Sequence, residues 1–300
     1  MNNCDLMILI LGNIDLVELE IFKAVADLGG VTRAAAKLGR VQSNVTTRVK
    51  QLEGRLGTTL FVRKSRKLVL SPEGKVLLGY AERLLRLSSE AEAALQGGMP
   101  RGTLVLGTLE STAATRLPPL LARYHETYPD VRIELVPGTT GALVAKVTDH
   151  EIETAFVAEP FSGEGLESEA VFHEELVLIT PSKLDRIRTP KDIGQTTLIA
   201  FTTGCSYRRR LEAWLGSAQV VANRIMEFGS YHAIAACVAA GAGIAVVPRS
   251  VLRTVPAAKN VGVHRLPASV AKAATHVIWR RGEKSAALEA LLATIRRMAR

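Results

Sequence analysis

The sequence predicts a mixed α/β protein with three successive parts. A small helical part with two short strands comes first, one long helix follows, and a larger part alternates strands with helices. Apolar residues recur at helical spacing up to Ala94, whereas from Gly102 short β-rich runs alternate with helical ones. With 300 residues, the chain has room for about two domains with cores of their own.

Helical periodicity predicts three short helices near the N-terminus, the first of them capped by Asp15. The first helix ends at Gly29-Gly30, the second runs from Arg33 to Leu38 behind a Thr32 cap, and the third from Gln42 to Leu56. The third helix buries an apolar stripe of Val45, Val49, Leu52 and Leu56. Residues 1–13 are interpreted as a loose extension.

Two helices joined by a tight turn at Gly39, the second polar and basic on its outer side, are typical of a helix-turn-helix. Two strands, Thr59–Val62 and Leu68–Leu70, follow on either side of a basic tip. The sequence therefore predicts a winged helix-turn-helix domain over residues 14–71.

The charge of the chain is concentrated in this domain. Residues 31–67 carry ten Lys or Arg and one acid, Glu53, a net +9 that equals the formal net charge of the whole chain. Such a segment predicts a polyanionic partner. Aromatic residues are only 5% of the chain, which argues against base stacking on single strands and favours double-stranded DNA.

The third helix would present its N-terminal end to base edges, and the surrounding basic residues would bind phosphates. The predicted DNA contacts are Thr32, Arg33, Gln42, Ser43, Asn44, Thr46, Thr47, Arg48, Lys50, Arg63, Lys64 and Arg66. Arg63 and Arg66 are also candidates for a minor groove. The alternative for the polar members is a role as solvated surface residues.

Residues 72–98 predict a linker helix that begins at Ser71-Pro72, with Ser as N-cap and Pro at the first helical position. Six residues alternate by three and four along it: Leu77, Tyr80, Leu84, Leu87, Ala91 and Ala94. This heptad seam favours pairing with a second chain over packing on its own domain. Gly97-Gly98-Met99-Pro100 would end the helix as a hinge.

Residues 101–300 predict two successive α/β units with a cleft between them. We assign subdomain I to about 101–179 and 280–300, and subdomain II to about 180–279. Ligands of such sheets bind at the carboxyl ends of strands. The predicted cleft residues are Ser111, Thr112, Thr139, Thr140, Phe156, Thr202, Cys205, Ser206, Tyr231 and Pro248, with Phe156, Tyr231 and Pro248 as walls. Helix caps without a ligand are the alternative for the Ser and Thr residues.

Residues from about 15 to 300 together resemble the LysR-type transcriptional regulators. The pattern from LEIFKAVADLGG through TTLFVRK to LSPEG carries the resemblance, supported by TLVLGTLES, LITP and GAGIAVVP. It implies a promoter-binding winged domain, a linker-helix homodimer that assembles further into a homotetramer, and a periplasmic-binding-protein-like effector domain. It also implies a small-molecule co-inducer, for which anionic groups suit the helix N-termini, and a cytoplasmic location.

One feature departs from the usual family pattern. Val41 replaces the Ser before Gln42, and Asn44 replaces a small residue, giving the VQSNVT form of a subgroup. Val41 cannot cap the third helix, so another side chain, or Ser43 one turn later, would do so. Asn44 adds an amide that can pair with adenine, so we expect an altered base preference.

Other chemistry finds little support in the sequence. The six histidines show no metal-ligand spacing, and we identify no catalytic constellation, so neither an enzyme nor a metal site is expected. Cys205 precedes three arginines that would lower its pKa, but we interpret it as an ordinary loop cysteine rather than a redox sensor. No run is long enough to span a bilayer. The alternative function is a solute-binding protein for transport.

Overall fold

The computed structural model describes residues 14–64, 67–95, 99–182, 187–193 and 196–298. It divides into two compact units, one up to Gly97 and the other from Gly98 onward. The proposed extension at residues 1–13, the wing-tip residue Arg66 and the hinge glycines Gly97 and Gly98 lie outside the described residues.

The first unit is helical with a two-stranded wing. Its elements are α1 (Leu16–Leu28), α2 (Val31–Lys37), α3 (Gln42–Leu56), β1 (Phe61–Lys64), β2 (Lys67–Leu70) and α4 (Pro72–Leu95). Asp15 caps α1 by accepting the N–H of Val17 at 3.0 Å, and Gly29 ends α1 in the left-handed conformation with φ 61°. Both predicted signals are confirmed.

Two local predictions for the first unit are wrong. Thr32 is not a cap, because α2 begins one residue earlier at Val31 with Gly30 as its N-cap. Leu56 is 36% exposed, since it is the last residue of α3 and the chain turns away at Gly57. The stripe of Val45, Val49 and Leu52 is buried as predicted.

Ser71 links the start of α4 by hydrogen bonds to the segment just before β1. Its hydroxyl donates to the carbonyl of Thr59 at 2.7 Å and accepts the N–H of Gly74 at 2.8 Å. The Ser71 N–H donates to the Leu60 carbonyl at 2.9 Å. Ser71 therefore caps α4, as predicted, and also fixes its direction relative to the wing.

The second unit carries the alternating elements. Its first part contains β3 (Gly102–Thr108), α5 (Glu110–Thr115), α6 (Leu117–Thr127), β4 (Val131–Pro137), α7 (Thr140–Thr148), β5 (Thr154–Ala158) and β6 (Leu166–Pro181). Its later part contains β7 (Thr197–Phe201), α8 (Ser206–Gly216), β8 (Arg224–Phe228), α9 (Tyr231–Ala239), β9 (Ala245–Pro248), α10 (Arg249–Leu252), β10 (Val261–Arg265), α11 (Ala268–Ala271), β11 (Lys272–Arg280) and α12 (Ala286–Met298).

The strands form two subdomains that share long strands. The main sheet has the order β10-β6-β11-β5-β3-β4, with β9 also paired to β6, while β7 and β8 form a separate parallel pair. Strands β3, β4 and β5 are parallel. Strand β6 was not predicted, and it is antiparallel to β9, β10 and β11 because it carries the chain from one subdomain to the other.

The return to subdomain I comes earlier than the expected residue 280. Strand β11 pairs with β5 from Thr275 to Trp279, so these residues belong to the sheet of subdomain I rather than to subdomain II. Helix α12 follows them. The second unit therefore has two crossings, β6 outward and β11 back.

Candidate functional site

The N-terminal half of α3 forms an exposed polar and basic surface on the first unit. Gln42, Ser43, Asn44, Thr47 and Lys50 are exposed, because Val45, Val49 and Leu52 hold the opposite side of α3 against α1 and α2. On the wing, Arg63 and Lys64 are exposed at the end of β1. We call these seven residues the recognition surface.

Several predicted contact residues are already engaged within the first unit. Thr32 donates to Oε1 of Gln42 at 3.2 Å, which ties α2 to the start of α3, and the Thr46 hydroxyl donates to the Gln42 carbonyl at 2.9 Å. Arg33 donates to the Gly29 carbonyl at 3.1 Å. Thr46 therefore offers its methyl group rather than its hydroxyl to a partner.

Glu18 of α1 anchors the middle and end of α3 through two arginines. Its carboxylate is 2% exposed, pairs with Arg55 and lies 3.7 Å from Nη1 of Arg48. Arg48 is thus partly neutralised by the protein itself. Among the predicted phosphate-binding cations on α3, Lys50 is the more accessible.

Val41 is a surface feature that the charge pattern did not reveal. Its side chain is 69% exposed at the N-cap position of α3, where no side-chain cap is present. Ser43 lies inside the helix and does not replace it. An exposed methyl pair beside Gln42 is suited to contact with a thymine methyl group.

The linker helix α4 carries an apolar stripe on its outer side. Val76, Tyr80, Leu84 and Leu87 are 63%, 55%, 40% and 63% exposed, respectively. The predicted seam residue Leu77 instead packs on the core of the first unit, together with Leu78 and Leu85. The exposed apolar stripe of α4 therefore begins at Val76 rather than at the predicted Leu77. The side chain of Ala94 lies outside the described part of α4.

In the second unit, a small closed pocket lies where four helices begin. Glu110 starts α5, Thr139 caps α7, Cys205 caps α8 and Tyr231 starts α9. The cavity volume is about 20 Å³, which is room for one water molecule. Its lining comprises Leu109, Glu110, Ser111, Gly138, Thr139, Thr140, Ala158, Phe201, Cys205, Ser206, Tyr207 and Tyr231.

Hydrogen bonds across the pocket join the two subdomains. The N–H of Gly141 donates to the carbonyl of Gly204 at 3.2 Å, and the N–H of Tyr231 donates to Oε1 of Glu110 at 3.3 Å. Ser206 donates to the Pro160 carbonyl at 3.1 Å. The cleft is closed in this structure.

Six of the predicted cleft residues line the pocket and four do not. Those that line it are Ser111, Thr139, Thr140, Cys205, Ser206 and Tyr231. Phe156 is wrong as a wall: its ring stacks on Phe172 in the core beneath α6 and α12, because alternate residues of β5 face opposite sides of the sheet. Thr112 is buried inside α5, Thr202 is exposed, and Pro248 is the buried N-cap of α10.

Glu110 and Tyr207 are polar pocket residues that lie outside the predicted set of cleft residues. Burial raises the pKa of Glu110, against the opposing effect of the Tyr231 N–H, and raises the pKa of Tyr207 to about 12. The position of Glu110 directly after a strand was the available signal. A carboxyl group did not fit the anion site that we expected there.

The Cys205 thiol is not activated. Burial raises its pKa, and this effect exceeds the lowering by nearby Arg208 and Arg209. Arg208 binds Glu212 at 2.7 Å as well as Glu227, Arg209 binds the Pro160 carbonyl at 2.7 Å, and Arg210 binds Glu159 at 3.1 Å. The expected net lowering of the Cys205 pKa is therefore wrong, because burial of the thiol outweighs the effect of the arginines.

Within the described ranges, no cluster of three or more His, Cys, Asp or Glu side chains could hold a metal ion. None of the helices in those ranges is long and apolar enough to cross a membrane.

Two family patterns cover nearly the whole chain. The bacterial regulatory helix-turn-helix pattern of the lysR family matches residues 16–75, and the LysR substrate binding domain matches residues 97–300. The chain belongs to the LysR family of transcriptional regulators. The resemblance drawn from the recognition helix and the effector half is thus confirmed.

Relatives of similar length agree with this family. The uncharacterized HTH-type transcriptional regulator YusT of Bacillus subtilis is 40% identical over 265 residues, which are 88% of this chain and 89% of YusT. The HTH-type transcriptional regulator YofA of Bacillus velezensis is 41% identical over 251 residues, 83% of this chain and 86% of YofA. The chain is a regulator and not an enzyme, and the alternative of a transport protein is wrong.

Solved structures show the same fold. A full-length OxyR variant from Pseudomonas aeruginosa matches with a TM-score of 0.70 at 22% identity, covering 95% of both chains. Full-length CbnR complexed with its target DNA matches with a TM-score of 0.67 at 24% identity, covering 95% of this chain and 99% of CbnR. These matches support the predicted order of winged domain, linker helix and two-subdomain effector domain.

Proposed function

We propose that the recognition surface reads base edges in the major groove of promoter DNA. The observation that carries the proposal is the exposed N-terminal half of α3, which is polar, basic and held rigidly on an apolar core. Gln42 and Asn44 have the amide groups that pair with adenine, and Val41 has methyl groups for thymine. Ser43 and Thr47 complete the helix face, and Thr46 adds a methyl contact.

The basic residues around α3 bind phosphates and fix the register. Lys50 on α3 and Arg63 and Lys64 on the wing are exposed for this role. Arg48 contributes less to phosphate binding because it also pairs with Glu18. Arg33 binds a phosphate once its hydrogen bond to the Gly29 carbonyl breaks. Residue Arg66 at the wing tip remains a predicted contact.

We further propose that two chains pair through the stripe of Val76, Tyr80, Leu84 and Leu87 on α4. These side chains are too exposed and too regularly spaced to be a feature of an isolated chain in water. The pair presents two recognition surfaces to one dyad, and two such pairs form a tetramer. The location that suits this function is the cytoplasm, where the promoter is.

The pocket between the subdomains is the proposed effector site. It lies at helix N-termini and at the carboxyl ends of β3, β5 and β7, where ligands of such folds bind. Since its volume of about 20 Å³ is smaller than an organic molecule, binding requires the subdomains to separate. Separation of the subdomains is a structural change by which effector binding can alter the DNA-bound protein.

The proposed function is tested by DNase footprinting of the region upstream of the gene that encodes this chain. We expect protection over a T-N11-A-like dyad and loss of protection in the variant Asn44→Ala, with Asn260→Ala in the second unit as the control. Binding should weaken with salt at a log–log slope near −5, corresponding to about six phosphate contacts. No protection, or salt-independent affinity, would refute DNA recognition.

A further inference from the structure

The pocket contains a carboxyl oxygen that lacks a hydrogen-bond partner. Oε1 of Glu110 accepts the Tyr231 N–H, but Oε2 is buried and has no hydrogen-bond partner. A buried polar atom without a partner costs free energy that a ligand can recover by supplying a donor. The cavity beside it has room for one group of the size of a water molecule.

The rest of the lining favours a cation over an anion. Phe201 and Tyr231 form an aromatic pair with ring centroids 4.8 Å apart, and both line the pocket. No Lys, Arg or His is among the described residues that line it. An incoming carboxylate would therefore face Glu110 with no cationic side chain in the described lining to pair with, whereas an ammonium group could pair with the carboxylate and approach aromatic rings.

We propose that the effector carries a protonated primary amine, which donates to Oε2 of Glu110 and lies against the rings of Phe201 and Tyr231. The inference deepens the proposed effector site and depends on it. It replaces the anionic effector that the helix N-termini alone predict, because the carboxyl group of Glu110 already accepts the first N–H of α9. The remainder of the ligand takes the space opened when the Gly141–Gly204 hydrogen bond breaks.

Binding of a cation should be linked to the ionisation of Glu110. Burial raises the pKa of Glu110, whereas a bound ammonium would lower it, because a nearby cation favours the charged carboxylate. Amine affinity should then increase as pH rises through the raised pKa. The other titratable groups around Glu110 are His232 and Tyr231 on α9, and Cys205 and Tyr207 at the start of α8. Burial raises the pKa of Tyr231, Cys205 and Tyr207.

The test uses the full-length protein and three matched probes: butylamine, butanol and butyrate, each at about 50 mM and equal ionic strength. Thermal unfolding followed by tryptophan fluorescence reports the second unit, which holds both tryptophans, Trp214 and Trp279. We expect butylamine to raise the melting temperature by about 2–4 °C and the other two probes to leave it unchanged. Glu110→Gln should abolish the butylamine shift, whereas the exposed control Glu164→Gln should keep it.

A second measurement uses the wild type, so it does not depend on whether Glu110→Gln folds. In the wild type, the butylamine shift should increase as pH rises through the raised pKa of Glu110, and His232→Gln should show the same increase. Three results would overturn the proposal: no shift with butylamine, an equal shift with butyrate, or a shift that is independent of both pH and Glu110. Footprinting of the same preparations without amine tests DNA recognition separately, so a failed amine test leaves that result interpretable.

Discussion

At Gly74, the linker helix packs so closely on the wing region that a single added methyl group would clash. A Cβ atom added there would lie 2.1 Å from the carbonyl oxygen of Leu60 and 3.0 Å from Cδ2 of Leu70. The Leu60 carbonyl is backbone and also accepts the Ser71 N–H, so it cannot move without breaking the cap of α4. Gly74→Ala must therefore shift the first turn of α4 away from the wing.

The expected cost follows from two opposing effects. Replacing a helical glycine by alanine stabilises by about 0.5–1 kcal/mol, while overpacking against fixed atoms costs about 1–3 kcal/mol. Because the obstructing atom is backbone, we expect the upper part of that range and a net destabilisation of about 2 kcal/mol. In a unit of this size, that lowers the melting temperature by about 8–16 °C.

Gly79→Ala is the matched control, since Gly79 lies in the same helix and an added Cβ would meet no atom within 4 Å. The assay is urea unfolding followed by far-UV circular dichroism. Tryptophan fluorescence, which reports only the second unit, separates the two transitions. Gly79→Ala should be as stable as the wild type or slightly more stable. Equal stability of Gly74→Ala and Gly79→Ala would refute the close approach of α4 to Leu60.

Three further predictions concern single residues. Val41→Ser adds the missing N-cap of α3, so it should stabilise the first unit by about 0.5–1 kcal/mol in urea unfolding while weakening the preference for thymine in binding-site selection. Lys50→Ala should reduce the magnitude of the salt slope by about 1 per protomer in fluorescence anisotropy, whereas the exposed control Lys259→Ala should leave it unchanged. Burial lowers the pKa of His264, so the unfolded chain binds its proton more tightly and the second unit should lose stability as pH falls through about 6.5; His264→Gln should remove part of that loss.

The sequence predicted best where local patterns and tertiary packing agree. Helix α3 has the predicted bounds because its buried stripe ends where the left-handed residue Gly57 stops the helix. Strand β6 was missed because seven of its 16 residues are charged or polar and its continuous buried run, Leu176–Thr180, comes only near its end. A strand that crosses between subdomains changes neighbours along its length, so it has no single alternating pattern.

Prediction of the pocket residues from the sequence was limited in the same way. Ser111, Thr139 and Ser206 could be placed at the pocket because the segments that follow strands meet at one edge of a sheet. Phe156 could not be excluded, because β5 is buried on both faces and its sequence does not show which face meets the cleft. The role of Glu110 depends on its contact with Tyr231, which is 121 residues away in sequence, and no local pattern encodes it.

We expect one recognition surface to bind DNA weakly and pairing through the stripe on α4 to supply the second. Fluorescence anisotropy can compare a duplex carrying the whole footprinted dyad with one carrying a single half-site. We expect the wild type to bind the dyad at least about 100-fold more tightly, as effective concentration allows, and Leu84→Glu to lose that advantage while keeping half-site affinity. Equal affinity of the wild type for both duplexes, or an undiminished advantage in Leu84→Glu, would contradict the account.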